Sequence, residues 1–138
     1  MIMPKDTYEL QFDSEKNQVR SVVRRLMEFV DHYDPSLEVR NDLRLVFSEL
    51  LYNAVLHGNN SDPQKSVSVH LKVDGSHIYA QVRDEGPGFD YAHAIEYALS
   101  DEALLDEHSR GIVLVSGLTE NLSFNEAGNL IRFEKRLK

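Results

Sequence analysis

Three polar side chains, the proton-exchanging Glu49 and His57 and the hydrogen-bonding Asn53, stand four residues apart in the run Glu49-Leu50-Leu51-Tyr52-Asn53-Ala54-Val55-Leu56-His57-Gly58. Residues four apart on a helix lie one turn above each other, so carboxylate, carboxamide and imidazole form one polar line. The rest of that helix is apolar. A core helix carries such a line when something polar packs against it. The chemistry on offer is therefore the holding of a polar group. Two further runs carry groups of the same kind. Asp84-x-Gly86-x-Gly88-Phe89 sets a carboxylate at a glycine-rich turn, and Ser109-Arg110-Gly111-Ile112 sets a hydroxyl and a guanidinium before an apolar stretch.

Each run alone has a plain structural reading. Glu49 and Asn53 can be a solvated helix edge. His57 before Gly58 can be a capping residue. Asp-x-Gly-x-Gly can be just a tight turn. Their joint occurrence, in this order and on suitable elements, is what carries weight.

Composition narrows what the polar partner can be. The 138 residues fit one domain, 1–138, with a real core, and 41% apolar with 28% charged residues is an ordinary globular balance. The absence of cysteine excludes disulfides and thiolate metal sites. The start Met1-Ile2-Met3-Pro4-Lys5-Asp6 has no apolar stretch behind it and reads as no signal peptide, and no run reaches the length of a membrane span, so the chain reads as cytoplasmic. A net charge of -8 repels duplex nucleic acid. It leaves an anionic ligand such as a nucleotide possible, because backbone amides and a metal ion hold phosphates regardless of net charge.

The elements that must position these groups follow from periodicity. Tyr8 to Phe12 alternates as a first strand, after which Asp13 or Ser14 is expected to cap a helix. Val19, Val22, Val23, Leu26, Phe29, Val30 and Tyr33 are its apolar stripe. Asp34-Pro35 is expected to open the next helix, with proline in its first turn. Its buried face is Leu43, Val46, Phe47, Leu50, Leu51, Ala54 and Val55, and Gly58 is expected to stop it as a left-handed cap. Val67, Val69, Leu71 and Val73 form one face of a strand, Asp74-Gly75-Ser76 a turn, and Ile78, Ala80 and Val82 the same face of the next strand. That parity continued by two puts Asp84 on the apolar side. Residues 90–108 are acidic and weakly patterned, with one short helix expected around Tyr91 to Leu99. Propensity makes Ile112-Val113-Leu114-Val115 a strand. Leu122 and Phe124, the turn Glu126-Ala127-Gly128-Asn129, and Ile131 and Phe133 make a closing hairpin. The fold class is α+β, a two-layer sandwich of a mostly antiparallel sheet with helices on one face.

These three runs together resemble the nucleotide-binding set of the histidine kinase-like (GHKL) ATPases with their Bergerat fold. Within that group the chain is most similar to the small anti-sigma factor serine/threonine kinases of the RsbW and SpoIIAB type. The likeness spans nearly the whole chain and includes the lack of a dimerisation helical hairpin. It implies ATP and Mg²⁺ as cofactors and turns the 112–115 run into a helix. By resemblance Asn53 ligates Mg²⁺, a hard cation that keeps water and phosphate oxygens around it. Glu49 takes the general base position, activating a hydroxyl or water for attack on the γ-phosphate. Asp84 accepts a hydrogen bond from the adenine amine, which selects against guanine. Gly86 and Gly88 let backbone approach the ring and hinge a lid that follows. Arg110 and the amides around Gly111 meet the phosphates at a helix N-terminus. His57, Gly58, Phe89, Ser109 and Ile112 complete the nucleotide-binding boxes. Ser109 is a departure, because many relatives have glycine there. A serine still offers an amide and a hydroxyl, but lid closure and turnover depend on backbone freedom.

Lys16, Arg20 and Arg24 make a basic stripe on the first helix of an acidic protein. It is either a solvated face or a partner site. The resemblance implies an ATP-dependent serine kinase that phosphorylates a STAS-type anti-anti-sigma protein and sequesters a sigma factor, as a homodimer. A nucleotide-gated binding switch without kinase turnover is the alternative, and a detached sensor-kinase catalytic domain is a third reading that the compact layout disfavours.

Overall fold

The computed structural model of the chain describes residues 6–88, 90 and 107–138, with side chains in the last helix described from Gly111 onward. Its elements run β1 (Thr7–Asp13), α1 (Val19–Asp31), α2 (Leu37–Asn53), β2 (Ser66–Asp74), β3 (His77–Arg83), α3 (Glu107–Leu118), β4 (Glu120–Phe124) and β5 (Leu130–Arg136). A 3₁₀ turn, Lys16–Gln18, leads into α1, and a π-helical turn, Ala54–Gly58, continues α2. The strands lie in the order β1-β2-β3-β5-β4, and every pair is antiparallel. The short helix expected around Tyr91 to Leu99 lies outside the described residues.

Alternation decides which face of the sheet is covered. Val69 pairs with Val82 and Leu71 with Ala80 across β2 and β3, and Val82 then pairs with Ile131 and Ala80 with Phe133 across β3 and β5. All six are buried. Their neighbours His70, Lys72, Tyr79, Gln81 and Arg132 take the opposite face. The helices bury their expected stripes against the apolar face, except that Tyr33 lies beyond the end of α1 and is only partly buried. Val19, Val22, Val23, Leu26, Phe29 and Val30 of α1 are in the core with Leu43, Val46, Phe47, Leu50 and Leu51 of α2. Phe47 meets Phe133 of β5 at a ring-centroid distance of 6.0 Å, joining the two layers. Each such large side chain contributes about 1.5–3 kcal/mol by leaving water. The run 112–115 is helical: Ile112 and Val115 are buried within α3. Tertiary packing overrides its strand propensity. Among the described residues no helix is long and apolar enough to cross a membrane.

Several local expectations are corrected. Neither Asp13 nor Ser14 caps α1: Asp13 ends β1, and buried Ser14 instead bonds the Lys65 carbonyl through its amide at 3.0 Å. Pro35 does not enter the first turn of α2. Ser36 is the N-cap, its Oγ accepting from the Val39 amide at 3.2 Å, and Asp34 sits in the left-handed region at φ 52. Gly58 is no left-handed cap either. The chain closes a wider turn there, with the Asn59 amide donating to the Ala54 carbonyl at 2.9 Å, and positive φ falls later, at Asn60 and Ser61. One ion pair had no signal in the pattern. Lys135 shares the inward parity of Ile131 and Phe133, and its Nζ reaches the Leu118 carbonyl at 2.6 Å and Asp42 at 3.3 Å. It thereby neutralises the C-terminus of α3 and ties that helix to α2.

Candidate functional site

Helix α2 delivers the first polar groups. Glu49 is half-buried, and Asn53, at the helix's last position, is only 5% exposed. His57 follows in the π turn and is exposed. The wider winding from Ala54 carries it off the Glu49–Asn53 line, so two members of the expected line stay together and the third departs. Asn53 Nδ2 has no hydrogen-bond partner among the described residues. Buried polar groups nearly always have one, so this amide marks a polar contact that the described residues do not supply.

Asp84 arrives from the end of β3, on the buried side that its parity dictates. The Gly86 amide donates to Asp84 Oδ1 at 2.8 Å. Desolvation raises the pKa of this carboxyl above the ordinary aspartate value; the Gly86 hydrogen bond and the charge of Lys65 oppose the rise. A buried acceptor in this state binds well to a donor that replaces its lost water.

Gly58 brings the first two boxes together. A side chain there would overlap the Asp84 carboxylate, so the end of α2 and the turn after β3 touch only because position 58 is bare. Gly86 lies against the Gly58 carbonyl, and Gly88, at φ 100, lies against the Ala127 carbonyl of the β4–β5 turn. The third box closes on the first in the same manner. A Cβ on Gly111 would run into the Glu49 carboxylate. Ser109, Arg110 and Gly111 do not precede their helix as expected. They lie within its beginning, because α3 opens at Glu107. The first turn of a helix has amides without intrahelical acceptors, which suits an anion. Ile112 behind them is buried in the core. The side chains of Ser109 and Arg110, and Phe89, lie outside the described residues.

Sequence reasoning missed what holds this turn in place. Asn59, 1% exposed, donates from Nδ2 to Ser14 Oγ at 2.6 Å and to the Ser66 carbonyl at 2.9 Å, and its Oδ1 accepts from the Glu85 amide at 2.8 Å. From the other side the Asp84 amide donates to the Asn129 carbonyl at 3.0 Å. The only signal was a polar residue directly after Gly58, which no periodicity marks.

The three boxes thus meet in pairs, Gly58 against the buried Asp84 carboxylate and Gly111, near a helix start, against the Glu49 carboxylate. The profile of the histidine kinase-like ATPase domain matches residues 12–135. The chain belongs to this family. Relatives within reach include the anti-sigma F factor of Heyndrickxia coagulans, 28% identical over 138 residues and covering 96% of this chain and 94% of that one. The anti-sigma F factor of Bacillus subtilis (strain 168) is 25% identical with the same coverage. That of Anoxybacillus flavithermus is 33% identical over 82 residues, 59% of this chain and 56% of that one. Among solved structures, the RsbU and RsbW domains from Mycobacterium tuberculosis match with a TM-score of 0.66 at 19% identity, over 95% of this chain. That likeness is one of fold, and this chain spans 32% of that longer chain.

The family is one of ATPases, and a divalent cation beside nucleotide phosphates would need an oxygen donor of the kind that Asn53 carries. The Asn53 carboxamide is buried, and its Nδ2 is unpartnered among the described residues. Among the described residues no hydrogen bond to Nδ2 fixes which way the amide faces, and its oxygen is the atom that would meet a metal. No group of three His, Asp or Glu side chains among the described residues is arranged to hold an ion alone. Mg²⁺ commonly keeps water and phosphate oxygens as its other ligands.

The basic stripe is divided by the structure. Lys16 is in the 3₁₀ turn, while Arg20 and Arg24 line a groove of about 620 Å³ between α1 and α2 together with Arg40 and Arg44. Arg40 is paired with Asp31 at 2.9 Å.

Proposed function

We propose that the chain is an ATP-dependent anti-sigma regulatory serine kinase of the cytoplasm, which phosphorylates a STAS-type anti-anti-sigma protein and sequesters a sigma factor. The observation that carries the reading is the convergence of three separated boxes on one site: Gly58 against Asp84, and Gly111 against Glu49. The anti-sigma F factors that resemble this chain over 96% of its length supply the regulatory half of the reading.

In this reading Asp84 accepts the adenine amine and rejects guanine, whose corresponding edge carries a carbonyl. Asn53 would hold Mg²⁺, which when bound neutralises charge on the phosphates. The free amides at the start of α3, with Arg110, bind the phosphate oxygens. Glu49 takes the proton of the incoming serine hydroxyl as that oxygen bonds to the γ-phosphorus and the bond to ADP breaks. His57, Gly58, Gly86, Gly88, Phe89, Ser109 and Ile112 complete the walls of the site. Lys16, Arg20 and Arg24 dock the partner, supported by the groove that Arg20 and Arg24 share with Arg40 and Arg44. The protein works as a homodimer.

The test is incubation with ATP, Mg²⁺ and a STAS-type partner, read by intact mass. A gain of one phosphate on the partner is expected. A partner that binds demonstrably yet never gains phosphate leaves a nucleotide-gated binding module instead.

A further inference from the structure

Besides the Gly86 amide on its own Asp84 carboxylate, the Asp84–Gly86 turn is held by groups from distant parts of the chain. Its consecutive amides are anchored in opposite directions. The Asp84 amide goes to the Asn129 carbonyl of the β4–β5 turn at 3.0 Å, and the Glu85 amide goes to Asn59 Oδ1 at 2.8 Å. The orientation of the Asn59 carboxamide is fixed by its partners. A backbone amide can only donate, so oxygen faces Glu85; a carbonyl can only accept, so nitrogen faces Ser66 at 2.9 Å. Nδ2 also reaches Ser14 Oγ at 2.6 Å, and Ser66 Oγ donates to Glu85 Oε1 at 2.6 Å. One side chain, 1% exposed, therefore ties the end of β1, the start of β2 and the turn after β3. It also follows Gly58 directly, the residue on which the Asp84 carboxylate rests.

We propose that Asn59 is a positioning residue for nucleotide recognition: it fixes the turn so that the Asp84 carboxylate meets an adenine amine in register, and so sets the purine preference. The proposal rests on the reading of Asp84 given above. A buried carboxylate gains by turning toward water, and only a rigid turn denies it that escape. Discrimination between an amine and a carbonyl edge requires an acceptor that cannot move aside. Loosening the turn should therefore weaken ATP binding more than GTP binding.

Calorimetry with ATP and with GTP, first on the wild type, decides both questions. A wild type that binds the two equally overturns the Asp84 assignment, and this proposal with it. Given an ATP preference, Asn59→Ala should reduce the ratio of affinities about tenfold, the scale of one buried hydrogen bond to a backbone amide. Ser66→Ala removes the tie to the Glu85 side chain, along with the Gln11 Nε2 contact to the same hydroxyl, and should lower the ratio less, which keeps the idea testable if Asn59→Ala does not fold. A purely structural Asn59 would lower the melting temperature and leave the ratio unchanged below it. An unchanged ratio in a folded Asn59→Ala variant, or in Ser66→Ala where Asn59→Ala does not fold, overturns the proposal.

Discussion

Gly58→Ala is the substitution that the geometry makes most costly for its size. The new methyl would occupy the space of the Asp84 carboxylate. Asp84 is 6% exposed and accepts the Gly86 amide at 2.8 Å, so it cannot step aside freely. If the carboxylate stays, the end of α2 must back away, and overpacking of this kind costs about 1–3 kcal/mol. If the carboxylate swings off, it forfeits a hydrogen bond to a charged group, again about 1.5–3 kcal/mol. These are alternatives and do not add, so the expected loss is about 2 kcal/mol. Urea unfolding should show a lower midpoint at unchanged slope. ATP affinity should fall about tenfold in the same variant, because either escape displaces the adenine acceptor. A double-mutant cycle with Asp84→Ala isolates the cause. Without a carboxylate to strike, Gly58→Ala should cost at least about 1 kcal/mol less. Stability within about 0.5 kcal/mol of wild type, with ATP affinity intact, would refute the close packing of these two boxes.

Gly117→Ala is the opposite case: nothing lies within 4 Å of its added Cβ inside α3, so urea melts should show a gain of about 0.5–1 kcal/mol from helix propensity. Lys135→Met strands Asp42 and the last carbonyls of α3, and the same melts should show a loss of about 1–3 kcal/mol. Asp84→Asn tests burial of the carboxyl. Its folded pKa is raised, so its contribution to stability is full below the ordinary aspartate value and is lost as pH rises through the folded value. The stability of nucleotide-free Asp84→Asn minus that of wild type should therefore rise with pH, and a difference that falls between pH 4 and 7 would contradict the assigned burial.

The sheet and the helix faces were legible because one apolar side is buried and the other is wet. Period 2 placed Val69, Leu71, Ala80 and Val82 correctly, and the same parity carried Asp84 inside. Period 3.6 placed Leu43, Phe47 and Leu50. Local punctuation was less legible. Gly58 resembled a stop signal by composition, yet its role is to admit a carboxylate from a residue far along the chain. Asp34-Pro35 resembled a helix start, but Ser36 had the hydroxyl that the amide of Val39 needed. Asn59 and Lys135 had no legible signal, because their partners come from distant strands and helices and no sequence period encodes them. The run 112–115 shows the same limit from the other side: its propensity favoured a strand, and only the resemblance to the ATPase family made it a helix.

Glu49, beside Gly111 and one turn before Asn53, is the proposed base of a kinase built on an adenine nucleotide site, and the functional reading stands or falls with it. Phosphotransfer to a STAS-type partner by wild type and by Glu49→Gln, with ATP affinity measured on both, puts that role to the test. Nearly equal ATP affinity is expected, with a rate about 10²-fold lower or more in the variant. Equal phosphotransfer rates, or a loss of ATP binding that alone explains the slower rate, would show that Glu49 is not the base.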